Sequence, residues 1–169
     1  MDNLFKNHRK DALIVFILLA FVFVYFYQWP GWNENSRFSL IHALAEEGSF
    51  KIDNFYSKPG TSTWDVATVD GHYYSDKAIG PAIIGSIFYY PLYWLKQVTG
   101  WPDLPTAHRM ITFLVVGLPS AIAGSLMYLL CLHISGSRLK AYLVSLAITL
   151  GTLYLPYSHT FFSHQFTAS

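Results

Sequence analysis

The chain has 169 residues, 53% of them hydrophobic, 18% aromatic and only 12% charged. A soluble domain carries about 25% charged residues, so this composition speaks against an ordinary water-soluble globule and for repeated contact with lipid, at whose boundaries Trp and Tyr collect. The formal net charge of +1 offers no electrostatic basis for a nucleic-acid partner. The single cysteine, Cys131, excludes both an internal disulfide framework and a cysteine-based zinc cluster.

Residues 11–29 form an almost unbroken apolar run preceded by Lys6, Arg9 and Lys10. About 20 apolar residues suffice to cross a hydrocarbon core, and positive flanks stay in the cytoplasm, so the run predicts a first transmembrane helix with a cytoplasmic N-terminus. A signal peptide also opens with basic residues, but the WPGWNEN that follows has no small-residue cleavage pattern. The segment therefore reads as a retained span.

The next segment, 30–78, is polar and is read as an extracytoplasmic loop. In NENSRFSLIHALAEEG, Phe38, Ile41, Leu44 and Ala45 recur at helical spacing and Gly48 closes the pattern. This predicts an amphipathic helix over 34–47, with Asn33 as N-cap, Glu34 in the first turn and Arg37 on the same side. A turn-rich stretch containing Pro59-Gly60 follows, and then a hairpin over 64–75 whose turn is Asp70-Gly71. Asp65, Asp76 and Lys77 have no such local explanation. Asp76 and Lys77 stand at the mouth of the next apolar run, where an ion pair is costly unless it faces water, substrate or each other.

Further spans are predicted at 79–98, 107–134 and 139–156, with 161–169 opening a fifth, so a longer protein with more helices is expected. With the 30–78 loop outside, 99–106 and Arg109 fall in the cytoplasm and 135–137 falls outside. Arg138 and Lys140 flank that outer turn and pull the other way, and the N-terminal charges decide the orientation. His159 and His164 are five apart, a poor spacing for two metal ligands on one helical face. The expected fold class is an all-α polytopic membrane protein: a transmembrane helix bundle with a large first extracytoplasmic loop that contains the amphipathic helix and the short hairpin.

The order of these features resembles the GT-C superfamily of lipid-linked-sugar glycosyltransferases, in particular its protein O-mannosyltransferase-like and aminoarabinose-transferase-like members. In that family the first external loop opens on an Asp-Glu pair, matched here by Asn33-Glu34. A later acid-Lys-Pro-Pro motif is matched by Asp76-Lys77-Ala78-Ile79, and GHYYS and Gly80-Pro81 fit its bacterial members. The likeness covers roughly the first 100 residues. It departs in that Asn33 replaces an acid and the Pro-Pro step is missing.

The resemblance implies sugar transfer from a polyprenyl-phosphate donor to an acceptor at the outer face of a bacterial inner membrane. It implies Glu34, then Asp76, as the base, and Arg37, Asp65, Lys77 and His164 as substrate-binding residues. It fixes neither the acceptor nor a metal, since some members use a divalent cation and others do not. Two other classes stay open on the residues alone: a membrane transporter, and a non-catalytic scaffold that docks partners on 34–47. The crowding of acids in a long first loop, with spans nearly free of charge, favours chemistry at the membrane face.

Overall fold

The computed structural model describes residues 2–169. It is mostly helical: α1 (Asp2–Tyr25), α2 (Trp32–His42), a π-helical turn (Ala43–Glu47), β1 (Val66–Val69), β2 (His72–Ser75), α3 (Gly80–Thr99), α4 (Leu104–Thr112), a π-helical turn (Phe113–Gly117), α5 (Leu118–Ser135), α6 (Arg138–Gly151), α7 (Tyr154–Ser158) and α8 (Ser163–Ala168).

Two apolar cores divide the work. Val15, Leu19 and Phe23 of α1 pack with Ala121, Tyr128 and Leu132 of α5 and with Ala141 of α6. Phe38 and Ile41 of α2, Ala82 and Tyr89 of α3, and Ala107 and Ile111 of α4 form the other core, closed by Phe161. The continuous helix Leu104–Ser135 runs through both, its first half in one core and its second in the other. In the first core α1 and α5 are antiparallel, because Tyr128 Oη donates to Asp11 while Gly117 lies beside Phe23. Gly124 faces both neighbouring helices: a Cβ there would press into Leu19 of α1 and stand 3.1 Å from Thr149 of α6.

Among the described residues, one helix is long and apolar enough to cross a membrane, Leu104–Ser135 with 32 residues. The four spans and start of a fifth suggested by the sequence therefore become one, for identifiable reasons. The α1 helix carries Arg9, Lys10 and Asp11 within its length, and α3 contains Pro91 and Lys96 among several Tyr and Trp residues. The expected 139–156 run stops at Gly151, and Thr152 is extended. Pro156 has no N–H to bond the Thr152 carbonyl, so an uninterrupted helix is disfavoured there. Residues 161–169 hold only the six-residue α8.

The 34–47 segment also differs from expectation. Its helix begins at Trp32, with Gly31 and not Asn33 as N-cap, and its last turn widens to π geometry before Gly48 ends it in the left-handed region (φ 63°). It is not a surface amphipath, because every residue from Glu34 to His42 is buried. The polar face is covered by residues 61–65. Asn35 Nδ2 donates to the Ser62 carbonyl (2.9 Å), Ser36 Oγ to that of Asp65 (2.7 Å) and Ser39 Oγ to that of Thr61 (3.0 Å), while Thr63 Oγ1 donates to the Trp32 carbonyl (2.7 Å). Ser36 and Ser39 are thus paired in the interior, as buried polar groups must be. The hairpin agrees with expectation: Val66 pairs with Ser75 and Val69 with His72 around Asp70 and Gly71, both at positive φ. Two consecutive residues with positive φ match a type I′ turn.

Candidate functional site

The N-terminal end of α2 meets three other segments: the 61–65 strap, the exit of the hairpin, and residues 160–163. Glu34 sits in the first turn, where a carboxylate is favoured by the helix dipole. Its Oε2 accepts from the Gly31 N–H at 3.0 Å. Its Oε1 has no hydrogen bond among the described residues. The side chain lines an open cleft whose other walls include Gln28, Leu153, Pro156, Tyr157 and Phe162.

Arg37, one turn further on, is only 4% exposed. Its Nη1 donates to the Asn33 carbonyl (3.1 Å) and to Asn33 Oδ1, its Nη2 donates to Ser163 Oγ (3.2 Å), and Phe162 lies beneath the guanidinium at 5.9 Å. Its Nε is buried without a partner. Asn33, standing where the resembled family has an acid, therefore serves as a neutral acceptor for Arg37. Burial pulls the guanidinium below its usual range, against the opposing fields of Glu34, Asp76 and Asp65. No carboxylate pairs with it directly among the described residues.

Lys77 holds the hairpin exit together. Its Nζ lies 3.1 Å from Asp65 and 3.1 Å from Asp76. Burial acts to lower the ammonium, but the two carboxylates outweigh it and hold the group above its ordinary value. Ser75 Oγ accepts from the Lys77 N–H (3.3 Å) and meets Ser36 Oγ at 2.7 Å, which ties this ion cluster to α2. Five residues singled out in the sequence, Glu34, Arg37, Asp65, Asp76 and Lys77, thus converge in one polar region with three acids and two cations.

His164 is exposed and stands edge-on to Tyr157 at 6.4 Å. It makes no hydrogen bond to the other site residues, and its neighbours Phe162 and Ser163 make the contacts to Arg37 instead. Arg109 places its guanidinium over the Tyr27 ring at 5.2 Å.

The sequence reading missed a second polar group in the core. His42 Nδ1 contacts Glu46 at 2.7 Å, Tyr89 Oη donates to the same carboxylate oxygen at 2.8 Å, and His42 Nε2 meets His108 Nε2 at 3.1 Å. The His108 ring stacks on Phe38 at 3.8 Å. Burial acts to raise the Glu46 carboxyl, but hydrogen bonds from His42 and Tyr89 outweigh it and hold it below its usual range. The local signal was the i,i+4 spacing of His42 and Glu46; nothing near His108 in the chain pointed to them.

Among the described residues no group of three or more His, Cys, Asp or Glu side chains is arranged to hold a metal ion. No family model, curated protein or solved structure matches the chain.

Proposed function

We propose that the chain is a membrane glycosyltransferase that moves a sugar from a polyprenyl-phosphate donor to an acceptor at the extracytoplasmic face. The observation that carries this reading is the position of Glu34. One carboxylate oxygen caps α2 and the other is left unbonded beside a cleft with apolar and aromatic walls, with Arg37 close enough to feel its charge and Lys77 in the adjoining Asp65–Asp76 cluster.

In this reaction Glu34 removes the proton from the acceptor nucleophile as that atom forms its bond to the anomeric carbon. The bond from that carbon to the donor phosphate oxygen breaks with inversion, and the lipid phosphate leaves with the electron pair. Arg37 and Lys77 offset the charge that builds on it. Lys77 can do so by exchanging one of its two carboxylates for the phosphate, and Asp65 and Asp76 hold it in place until then. Asp76 is the second choice for the base, and His164 keeps at most a peripheral part in donor binding.

The membrane arrangement that fits this function takes α4–α5 across the bilayer with α1 antiparallel beside it, while α6, 14 residues or about 21 Å long, falls short of a full crossing. At 1.5 Å per residue, the 32 residues of Leu104–Ser135 span about 48 Å. This exceeds a hydrocarbon core of about 30 Å by some 12 residues, close to the length of chain that packs on α2 and α3 instead of α1. The antiparallel pairing of α1 and α5 puts the start of α4 on the same side as the 30–78 segment. Both ends of α3 then lie outside, so α3 belongs to the external lobe and does not cross. Arg109, beside Tyr27, moves to the outer side as well. Arg138 and Lys140 move to the cytoplasm beside Arg9 and Lys10, which removes the charge conflict of the sequence reading.

The test is transfer by the full chain from a polyprenyl-phosphate sugar, comparing wild type with Glu34→Gln and Asp76→Asn. Glutamine still accepts from the Gly31 N–H, as it does in capping boxes generally, so a loss of activity in Glu34→Gln reports the lost base and not a lost helix cap.

A further inference from the structure

A separate cleft opens between the 43–61 segment and α3, lined among others by His42, Glu46, Phe55, Lys58, Tyr89 and Lys96. Lys58 comes from the loop and Lys96 from the last turn of α3, and packing of the loop on α3 and α4 brings them to one cavity. Neither ammonium has a carboxylate partner among the described residues, although two like charges facing one cleft repel. Lys58 rests over the Phe55 ring at 4.5 Å, which orients its stem. The one acid in the cleft, Glu46, is engaged by His42 Nδ1 and Tyr89 Oη on the same oxygen. With His42 Nδ1 donating to Glu46, a neutral His42 presents Nε2 as acceptor to the His108 Nε2–H. His42 thus has a partner on each ring nitrogen and fixes the Glu46 carboxylate in the wall of the cleft.

We infer that this cleft is a second ligand site, taking a phosphate group between the Lys58 and Lys96 ammoniums. Lysine acts as a compact point charge toward phosphate. Two of them outweigh the single Glu46 carboxylate that shares the cleft and leave it a net positive charge for an anion, and the rings of Phe55 and Tyr89 offer an apolar wall for whatever carries the phosphate. The cleft is distinct from the Glu34 site and does not depend on the glycosyl-transfer reading. Both lysines are exposed, so their replacement does not disturb the core.

The experiment is calorimetric titration of the full chain in neutral micelles, at constant ionic strength, with inorganic phosphate in one arm and soluble short-chain phosphatidic acid in the other. Saturable binding is expected in at least one arm. Lys58→Gln and Lys96→Gln should each weaken it about tenfold and the double variant should abolish it, with the helical circular-dichroism signal unchanged, while Lys140→Gln at the opposite end of the molecule binds as wild type does. Binding of inorganic phosphate identifies a free or small phosphate ligand; binding in the phosphatidic acid arm alone identifies a lipid headgroup. Absence of saturation in both arms, or unaltered binding by the double variant, overturns the proposal whatever the transfer assay shows.

Discussion

Asp11 and Arg138, 127 positions apart, meet at 2.5 Å, Arg138 Nη2 donating to Asp11 Oδ1. The contact fixes the turn between α5 and α6 at the end of the molecule where Arg9 and Lys10 lie. It therefore puts the α5–α6 turn at the same end of the helix bundle as the start of α1.

The first prediction follows directly. With Cys131 replaced by serine, a cysteine introduced at Thr99 is labelled by a membrane-impermeant maleimide in intact cells, whereas one at Ser137 is labelled only after the membrane is opened. The reverse pattern returns α3 to a membrane span and Arg138 to the outside.

Gly124 leaves no free space for a side chain between α1 and α6, and overpacking such a position costs about 1–3 kcal/mol. Gly124→Val should lower unfolding stability in micelles by that amount, because a Cβ there already presses on the Leu19 and Thr149 side chains and both must shift to admit it. Gly136, in the exposed turn with open space around its Cα, has no such packing role. Unchanged stability in Gly124→Val would mean that the three helices do not approach as described.

His108 supplies the partner that His42 needs in a buried site. His108→Leu keeps the volume roughly but leaves His42 Nε2 unsatisfied and removes the stack on Phe38. A stability loss of about 1–3 kcal/mol is expected from the orphaned group, read from denaturant unfolding at neutral pH.

Glu46 gives a pH dependence of defined sign. Its folded-state pKa is depressed below its ordinary 4.5, so the unfolded chain binds the proton more readily. Its contribution to stability is complete above about pH 4.5 and is lost as pH falls through the lower folded value. Glu46→Gln should flatten the acid limb of a stability profile while leaving stability at higher pH insensitive to pH in the same way. An acid limb of unchanged slope would remove Glu46 from the account.

Some of this was legible in the chain and some was not, for physical reasons. The hairpin was readable because Asp70-Gly71 tolerates the left-handed region, a purely local property. Gly48 as the stop of the loop helix was readable in the same way. The burial of that helix was not, because the strap that covers Ser36 and Ser39 lies some 20 to 30 residues away and its acceptors are backbone carbonyls that carry no sequence signature. Apolar runs at 79–98 and 139–156 looked like spans because hydropathy averages over Pro91 and Lys96 inside α3 and does not see the break at Thr152. The convergence of Glu34, Arg37, Asp65, Asp76 and Lys77 was anticipated only as two acidic sites near one turn. The Lys77 bridge between Asp65 and Asp76 and the anchoring of Arg37 by Asn33 and Ser163 required the three-dimensional arrangement.

The measurement that bears most directly on the central claim is single-turnover transfer from a polyprenyl-phosphate sugar by wild type, Glu34→Gln and Asp76→Asn, each shown to be folded. Loss of one general base typically lowers the rate by about 10²- to 10⁴-fold. The account predicts a fall of that size in Glu34→Gln with a smaller effect in Asp76→Asn. Transfer at the wild-type rate in Glu34→Gln, or no transfer by the wild-type protein from any polyprenyl-phosphate sugar, would contradict it.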